Sequence, residues 1–220
     1  MVTLSHYYTK FEISSSYNIP EPLHELLHIL WRYKYEELYE DVEETDICLE
    51  DACQAILYFF SDEFELPQDN QSHLKYISMA IILADAVKPT VKAYLPDETK
   101  TDQAYQLLEQ YLVNKIKFSE IKIDEIFPTI SVGCQAIDEA LDVFRNLLRV
   151  IDPVQAKDGI LEILDDCLEG YAIFPGSQGR RDLFNWWLLE VVPASWCLKW
   201  PENLYTIKGL CQVQPSLSLL

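Results

Sequence analysis

The chain predicts an all-α fold, a single bundle-like domain of about seven or eight helices, and three observations carry that expectation. All six glycines fall after residue 132, so the earlier part is punctuated only by proline, aspartate, asparagine and serine. Long helices joined by tight polar connections suit that usage. Apolar residues recur at three- and four-residue steps through most of the sequence, and at 220 residues and 49% hydrophobic there is enough material for a full core. A short N-terminal strand within residues 3–13 is the one extended element expected. The organisation follows as an extended segment 1–19, a helical domain 20–192, and an irregular tail 193–220 packing on that domain.

The first helix, 21–39, opens on proline and glutamate and carries Leu23, Leu26, Leu27, Leu30 and Leu38, with His24, His28, Trp31 and Tyr35 as a second stripe beside them. Helix 47–60 follows, with Asp46 as its cap and Ala52, Cys53, Ile56, Phe59 and Phe60 on one side. After a polar hinge at 66–70 comes a strongly apolar helix over 72–87, which Pro89 is expected to end or kink. Helix 101–116 is given Thr101 or Asp102 as its cap. Residues 118–127 read as a short helix against an alternative strand, and 131–150 with 153–171 form an antiparallel pair because the link between them is short. In 181–192, Leu183, Phe184, Trp186, Trp187, Leu188, Leu189 and Val191 leave almost no polar face, the mark of a buried helix.

Charge is the most uneven property of the sequence. Residues 35–74 contain no lysine or arginine and carry thirteen acids, which supply thirteen of the nineteen net negative charges. A sequence pI near 4.4 disfavours nucleic acid as a direct ligand, because that binding needs cationic side chains to displace counterions. Asp46, Glu50 and Asp51 suit a helix's first turn. Glu40, Asp41, Glu43 and Glu44, and then Asp62, Glu63 and Glu65, fall at the predicted C-terminal ends of helices, where they oppose the macrodipole at a cost of roughly 0.3–1 kcal/mol each. A cost retained twice suggests a use.

The leading expectation is therefore a non-enzymatic, cytoplasmic interaction or regulatory protein, presenting Glu36, Glu37, Glu40, Asp41, Glu43, Glu44, Asp62, Glu63 and Glu65 to a basic protein surface. Mimicry of a nucleic-acid backbone is one specific form of it. No cofactor is called for. The opening residues show no basic-then-apolar leader, and the longest nearly uncharged run, 76–84, is too short to span a bilayer. The six cysteines form no C-x-x-C and read as reduced thiols.

Two alternatives come from other classes. Glu37 with Glu40, and Asp62 with Glu65, place carboxylates three apart on neighbouring helices, the spacing that converges on magnesium. Over residues 37–65 this resembles the paired acidic helices of all-helical nucleotide pyrophosphohydrolases, and the resemblance implies a magnesium-dependent phosphohydrolase with those four residues as ligands. The second pair is Asp-then-Glu where that family has Glu-then-Asp, and no lysine stands nearby for phosphate. The other alternative is a helical small-molecule binder with an aromatic pocket or interface at Trp186 and Trp187, beside Arg180 and Arg181 at the end of a glycine-containing loop. Glu25 and His28 have di-iron spacing but no second motif, so a histidine packed on aromatics is the expectation there. Asp165, Asp166 and Glu169 read as the solvent side and last turn of one helix.

Overall fold

The computed structural model describes residues 8, 10–32, 49–61, 71–128, 133–173, 176–205 and 207. They form an all-helical bundle: α1 Glu21–Arg32, α2 Leu49–Tyr58, α3 Ser72–Tyr94, α4 Lys100–Leu112, α5 Ile123–Ile126, α6 Gln135–Arg149, α7 Ala156–Glu169, α8 Arg180–Trp186, a π-helical segment Trp187–Val191, and α9 Val192–Trp196. Single 3-10 turns sit at Phe118–Glu120 and Tyr171–Ile173. Among the described residues there is no strand. In the span expected to hold one, Phe11 instead packs its ring on His24, His28 and Trp31 of α1, with centroids 5.3, 4.6 and 6.0 Å away.

The long helix α3 is the axis of the core. Tyr76 through Val87 are all buried, as are Thr90 and Val91, and α6, α7 and α9 pack against it. Pro89 does not end this helix, which continues to Tyr94. An interior proline costs about 3 kcal/mol in isolation, but here Val87, Thr90 and Val91 on both sides of it are fully enclosed, so tertiary packing outweighs the local preference. Three phenols and an imidazole tie α3 to its neighbours. Tyr76 donates to the Leu57 carbonyl (2.8 Å), Tyr171 to that of Ala86 (2.7 Å) and Tyr105 to the Asp85 carboxylate (2.6 Å), while the His73 ring bonds the Val150 carbonyl (2.8 Å).

The cap expected at Thr101 or Asp102 lies elsewhere. Glu98 accepts the N–H groups of Lys100 and Thr101, capping α4 from two residues before its start. Asp102 is drawn to Lys88 (3.1 Å) and Lys92 (2.8 Å) on α3, and those bonds hold its carboxyl below the ordinary range.

Helices α6 and α7 are antiparallel, as two contacts fix. Gly159, early in α7, faces Asn146 and Val150 at the end of α6, whereas Gly170, after α7, faces Glu139 near the start of α6. The last helical run continues past Pro193, which sits in the first turn of α9 and not in an irregular tail. Beyond it, 199–205 turns back over the run and meets the N-terminal segment. Tyr17 donates to the Trp200 carbonyl (3.3 Å) and accepts from the Glu202 N–H (3.0 Å), Ser14 and Ser16 donate to Glu202, and Lys199 reaches the Ser16 carbonyl (2.8 Å). The two segments thus lie against each other.

Candidate functional site

The acidic surface expected from the sequence falls almost entirely outside the described residues. Glu36, Glu37, Glu40, Asp41, Glu43 and Glu44 lie there, and so do Asp62, Glu63 and Glu65, which also takes in the four magnesium candidates Glu37, Glu40, Asp62 and Glu65. What the structure places is the flank of that stretch. Glu50 and Asp51 occupy the first turn of α2, exposed, and Glu50 accepts from Gln54 one turn later (2.8 Å). Acids at that end complement the dipole.

A second concentration of carboxylates, unnoticed in the sequence, lies along the α6–α7 crossing. Asp138, Glu139 and Asp142 of α6 meet Glu162, Asp165, Asp166 and Glu169 of α7. Asp165 faces solvent as the sequence reading had it, but Asp166 does not: it is buried. It accepts from the Asn146 amide (3.1 Å) and is hydrogen-bonded to Glu139. Burial, reinforced by the Glu139 bond and the Glu139 and Asp142 charges, pushes the Asp166 carboxyl up to about 9. Asp142 and Asp165 are also raised, first by desolvation and then by surrounding carboxylates. Arg149 donates to the side-chain Oδ1 of Asn146 (2.8 Å), which turns the Asn146 amide nitrogen toward Asp166. The sequence signal for this was Asp166 itself, three residues after buried Ile163 and thus on the face of α7 that turns inward.

The two tryptophans lie in the interior, Trp186 at 1% exposure and Trp187 at 0%. Trp186 donates its indole N–H to the Asn203 carbonyl (2.7 Å), and the Asn203 amide donates to Glu190 (2.8 Å). Trp187 packs on Phe184 with ring centroids 5.8 Å apart. They are core side chains, and no surface is built on their rings. The π-helical segment Trp187–Val191 is buried throughout, and so are Asp182–Trp186 before it and Val192–Ser195 after it. Polar atoms are enclosed here too. Among the described residues, the Trp187 and Trp31 indole nitrogens, Asn185 Oδ1 and Glu190 Oε2 are buried without a hydrogen-bond partner. Desolvation raises the Glu190 carboxyl, and desolvation with the Glu190 and Asp182 charges raises the Tyr8 phenol, so that phenol stays protonated.

Arg180 and Arg181 are engaged internally. Arg180 donates to the Leu168 carbonyl (3.0 Å) and to Glu169 (2.8 Å), placing a cation at the C-terminal end of α7, where the dipole favours it. Arg181 donates to the Trp31 carbonyl (2.7 Å). The preceding loop is tied by Ser177 to the Ala172 carbonyl (2.6 Å) and by the Gln178 N–H to the Tyr205 hydroxyl (3.1 Å). Gly176 and Gly179 take φ of +91° and +95°, which the turn requires and which a side chain would strain.

The Cys197 thiol donates to the Asn18 carbonyl (3.6 Å), and burial pushes the Cys167 thiol well up. No group of three or more His, Cys, Asp or Glu side chains among the described residues is arranged to hold a metal ion. No described helix is long and apolar enough to cross a membrane. By fold the chain is an all-helical bundle whose polar features are an acid-rich crossing and an enclosed aromatic run. No protein-family model, curated protein or solved structure matches it.

Proposed function

We propose that this chain is a non-enzymatic interaction protein of the cytoplasm, which presents the acidic stretch around residues 36–65 to a basic protein partner and regulates it by occupying its cationic surface. The observation that carries the reading is the placement of charge: thirteen of nineteen net negative charges in residues 35–74, with no lysine or arginine among them. An anionic surface of that density speeds association with a cationic partner and loses the advantage as salt screens it. The crowded carboxylates of α6 and α7 support the same reading, since like charges are kept together there as well. The rival sites at Trp186, Trp187, Arg180 and Arg181 are occupied by contacts within the fold.

The test is capture from lysate on the immobilised chain beside a variant with Glu36, Glu37, Glu40, Asp41, Glu43 and Glu44 changed to amides. A basic protein retained by the parent, released by salt, displaced by duplex DNA and lost from the variant is the expected result. Equal retention by both proteins overturns the reading. A magnesium titration of the unfolding midpoint runs in parallel, because a ligand of the native state raises it. No saturable rise is expected. A rise abolished by Glu37→Gln or Asp62→Asn replaces the docking surface with the phosphohydrolase site.

A further inference from the structure

We propose that residues 199–204 form a hinged flap, pivoting beside Leu198 and latched by Glu202 onto the N-terminal segment, and that its opening uncovers the enclosed Glu190 carboxyl. Both ends of the flap are fixed. It starts where α9 closes, with the Leu198 N–H donating to the Ser195 carbonyl (3.2 Å) and the Lys199 N–H to that of Ala194 (2.9 Å). That closing pattern favours glycine at the position Leu198 fills. Leu198 takes φ of +51° there, a left-handed conformation that its Cβ disfavours. The flap ends at Tyr205, which is buried, packs on Tyr171 and Trp186 with ring centroids 5.7 and 5.8 Å away, and accepts the Gln178 N–H. Between those points the backbone is in neither helix nor strand, and Lys199, Glu202 and Asn203 are exposed. Such a stretch opens locally at far lower cost than the bundle does.

The flap is fastened on two faces. Inward, Asn203 holds it: the Trp186 indole donates to its backbone carbonyl (2.7 Å), and its amide donates to Glu190 Oε1 (2.8 Å). Outward, the latch is Glu202, whose Oε1 alone accepts from both Ser14 (2.5 Å) and Ser16 (2.9 Å). The Glu202 N–H adds a bond to the Tyr17 hydroxyl (3.0 Å), and Lys199 reaches the Ser16 carbonyl (2.8 Å). The receiving segment is itself held on α1 at both ends, by the Phe11 ring on His24, His28 and Trp31, and by the start of that helix at Glu21. The N-terminal segment is therefore the fixed partner, and the flap is the part that moves. Glu190 works against closure. It is 8% exposed, and its Oε2 is buried without a partner, a costly state that water relieves once the flap lifts. An enclosed carboxyl that favours opening, set against an exposed carboxylate that favours closure, makes a two-position element.

Hydrogen exchange in the full chain tests the flap through two protons bonded on its opposite faces. The backbone N–H at position 202 reports the outer face, and the Trp186 indole N–H reports the inner one, where Asn203 also meets Glu190. Glu202→Ala removes the latch from one side, and Ser14→Ala combined with Ser16→Ala removes it from the other. In either variant both protons are expected to exchange about tenfold faster or more, the effect of losing hydrogen bonds to a charged group. Amides of the buried stretch of α3 should keep the parent's rates. An unchanged rate at either proton overturns the proposal, as does acceleration that α3 shares. Urea gives an answer in the parent alone, should a variant fail to fold. Exchange at the two protons that depends little on urea marks a local opening that exposes little surface, and a dependence as steep as that of the α3 amides overturns the flap.

Discussion

The run 180–196 and the α6–α7 crossing both bury polar chemistry in a helical interior, and they do so by opposite means. In the run, two indoles and Glu190 are enclosed among Leu183, Phe184, Leu188, Leu189 and Val191, and the polar atoms either find a partner on Asn203, in its backbone carbonyl or side-chain amide, or go without. At the crossing, the surrounding side chains are themselves acidic, and Asp166 is accommodated by keeping its proton and by the Asn146 amide. The run gains from apolar area, roughly 25 cal/mol for each Å² removed from water, and tolerates unmet hydrogen bonds. The crossing also buries apolar side chains, Phe144, Leu147 and Ile163 among them, and depends in addition on fit and protonation. Damage to packing should therefore show most in the run, and changes of shape or charge most at the crossing.

The largest effect is expected from Trp187→Ala. The side chain is fully enclosed and packed on Phe184, so truncation leaves a cavity costing about 3–5 kcal/mol. Urea unfolding measures it. A loss under about 1 kcal/mol would mean that the run repacks freely and is not the rigid half of the comparison.

Gly170→Ala comes next and probes the crossing by shape alone. Gly170 has φ of −105°, a value open to any residue, so the usual left-handed role of glycine after a helix does not apply. The constraint is space, since the new methyl meets Glu139 at Cβ, an atom that moves only with the α6 backbone. An overpacking cost of about 1–3 kcal/mol follows. Gly159→Ala is the control. Its methyl meets Cγ2 of the buried Val150 at 2.8 Å, so that side chain must shift, a cost that the about 1 kcal/mol of helix propensity recovered by alanine offsets in part. Equal losses at the two glycines would show that the crossing is not tightest at Glu139.

Much of this was legible in the sequence, and the failures have specific causes. The period of the apolar residues located α4, α6 and α7 to within a few residues and the starts of α1 and α3, and the missing polar face of 181–192 marked the buried run. Pro89 misled because its penalty is local, whereas the enclosure of Val87, Thr90 and Val91 is set by α6, α7 and α9. The π-helical segment left no sign that a search at 3.6-residue period would detect. Asp166 was assigned to solvent because its neighbours Asp165 and Glu169 suggested a charged face. Its pairing with Glu139 depends on the register of two antiparallel helices, which sequence spacing within one helix does not reveal. The acidic stretch was plain from composition, yet composition fixes only where the charge lies along the chain.

The smallest effect, and the sharpest for the electrostatic half of the comparison, is expected from Asp165→Asn. Asp165 is exposed, so no packing is lost, and its carboxyl is raised by desolvation with added push from Glu169, Glu139 and Glu162. A raised carboxyl favours the fold only while protonated, and its contribution is lost as pH climbs through the raised value. Replacing it by an amide removes that loss. The variant should be more stable than the parent at neutral pH by a few tenths of a kcal/mol, on the order of the like-charge repulsion between helix neighbours. The gain should vanish near about pH 3, where the parent's acids are protonated, and shrink in about 1 M salt, where screening acts over about 3 Å. A gain that persists in high salt would trace to desolvation alone and would remove crowding from the account of the α6–α7 acids. A loss of stability would show that Asp165 makes a favourable contact, and that the crossing is not limited by its own charge.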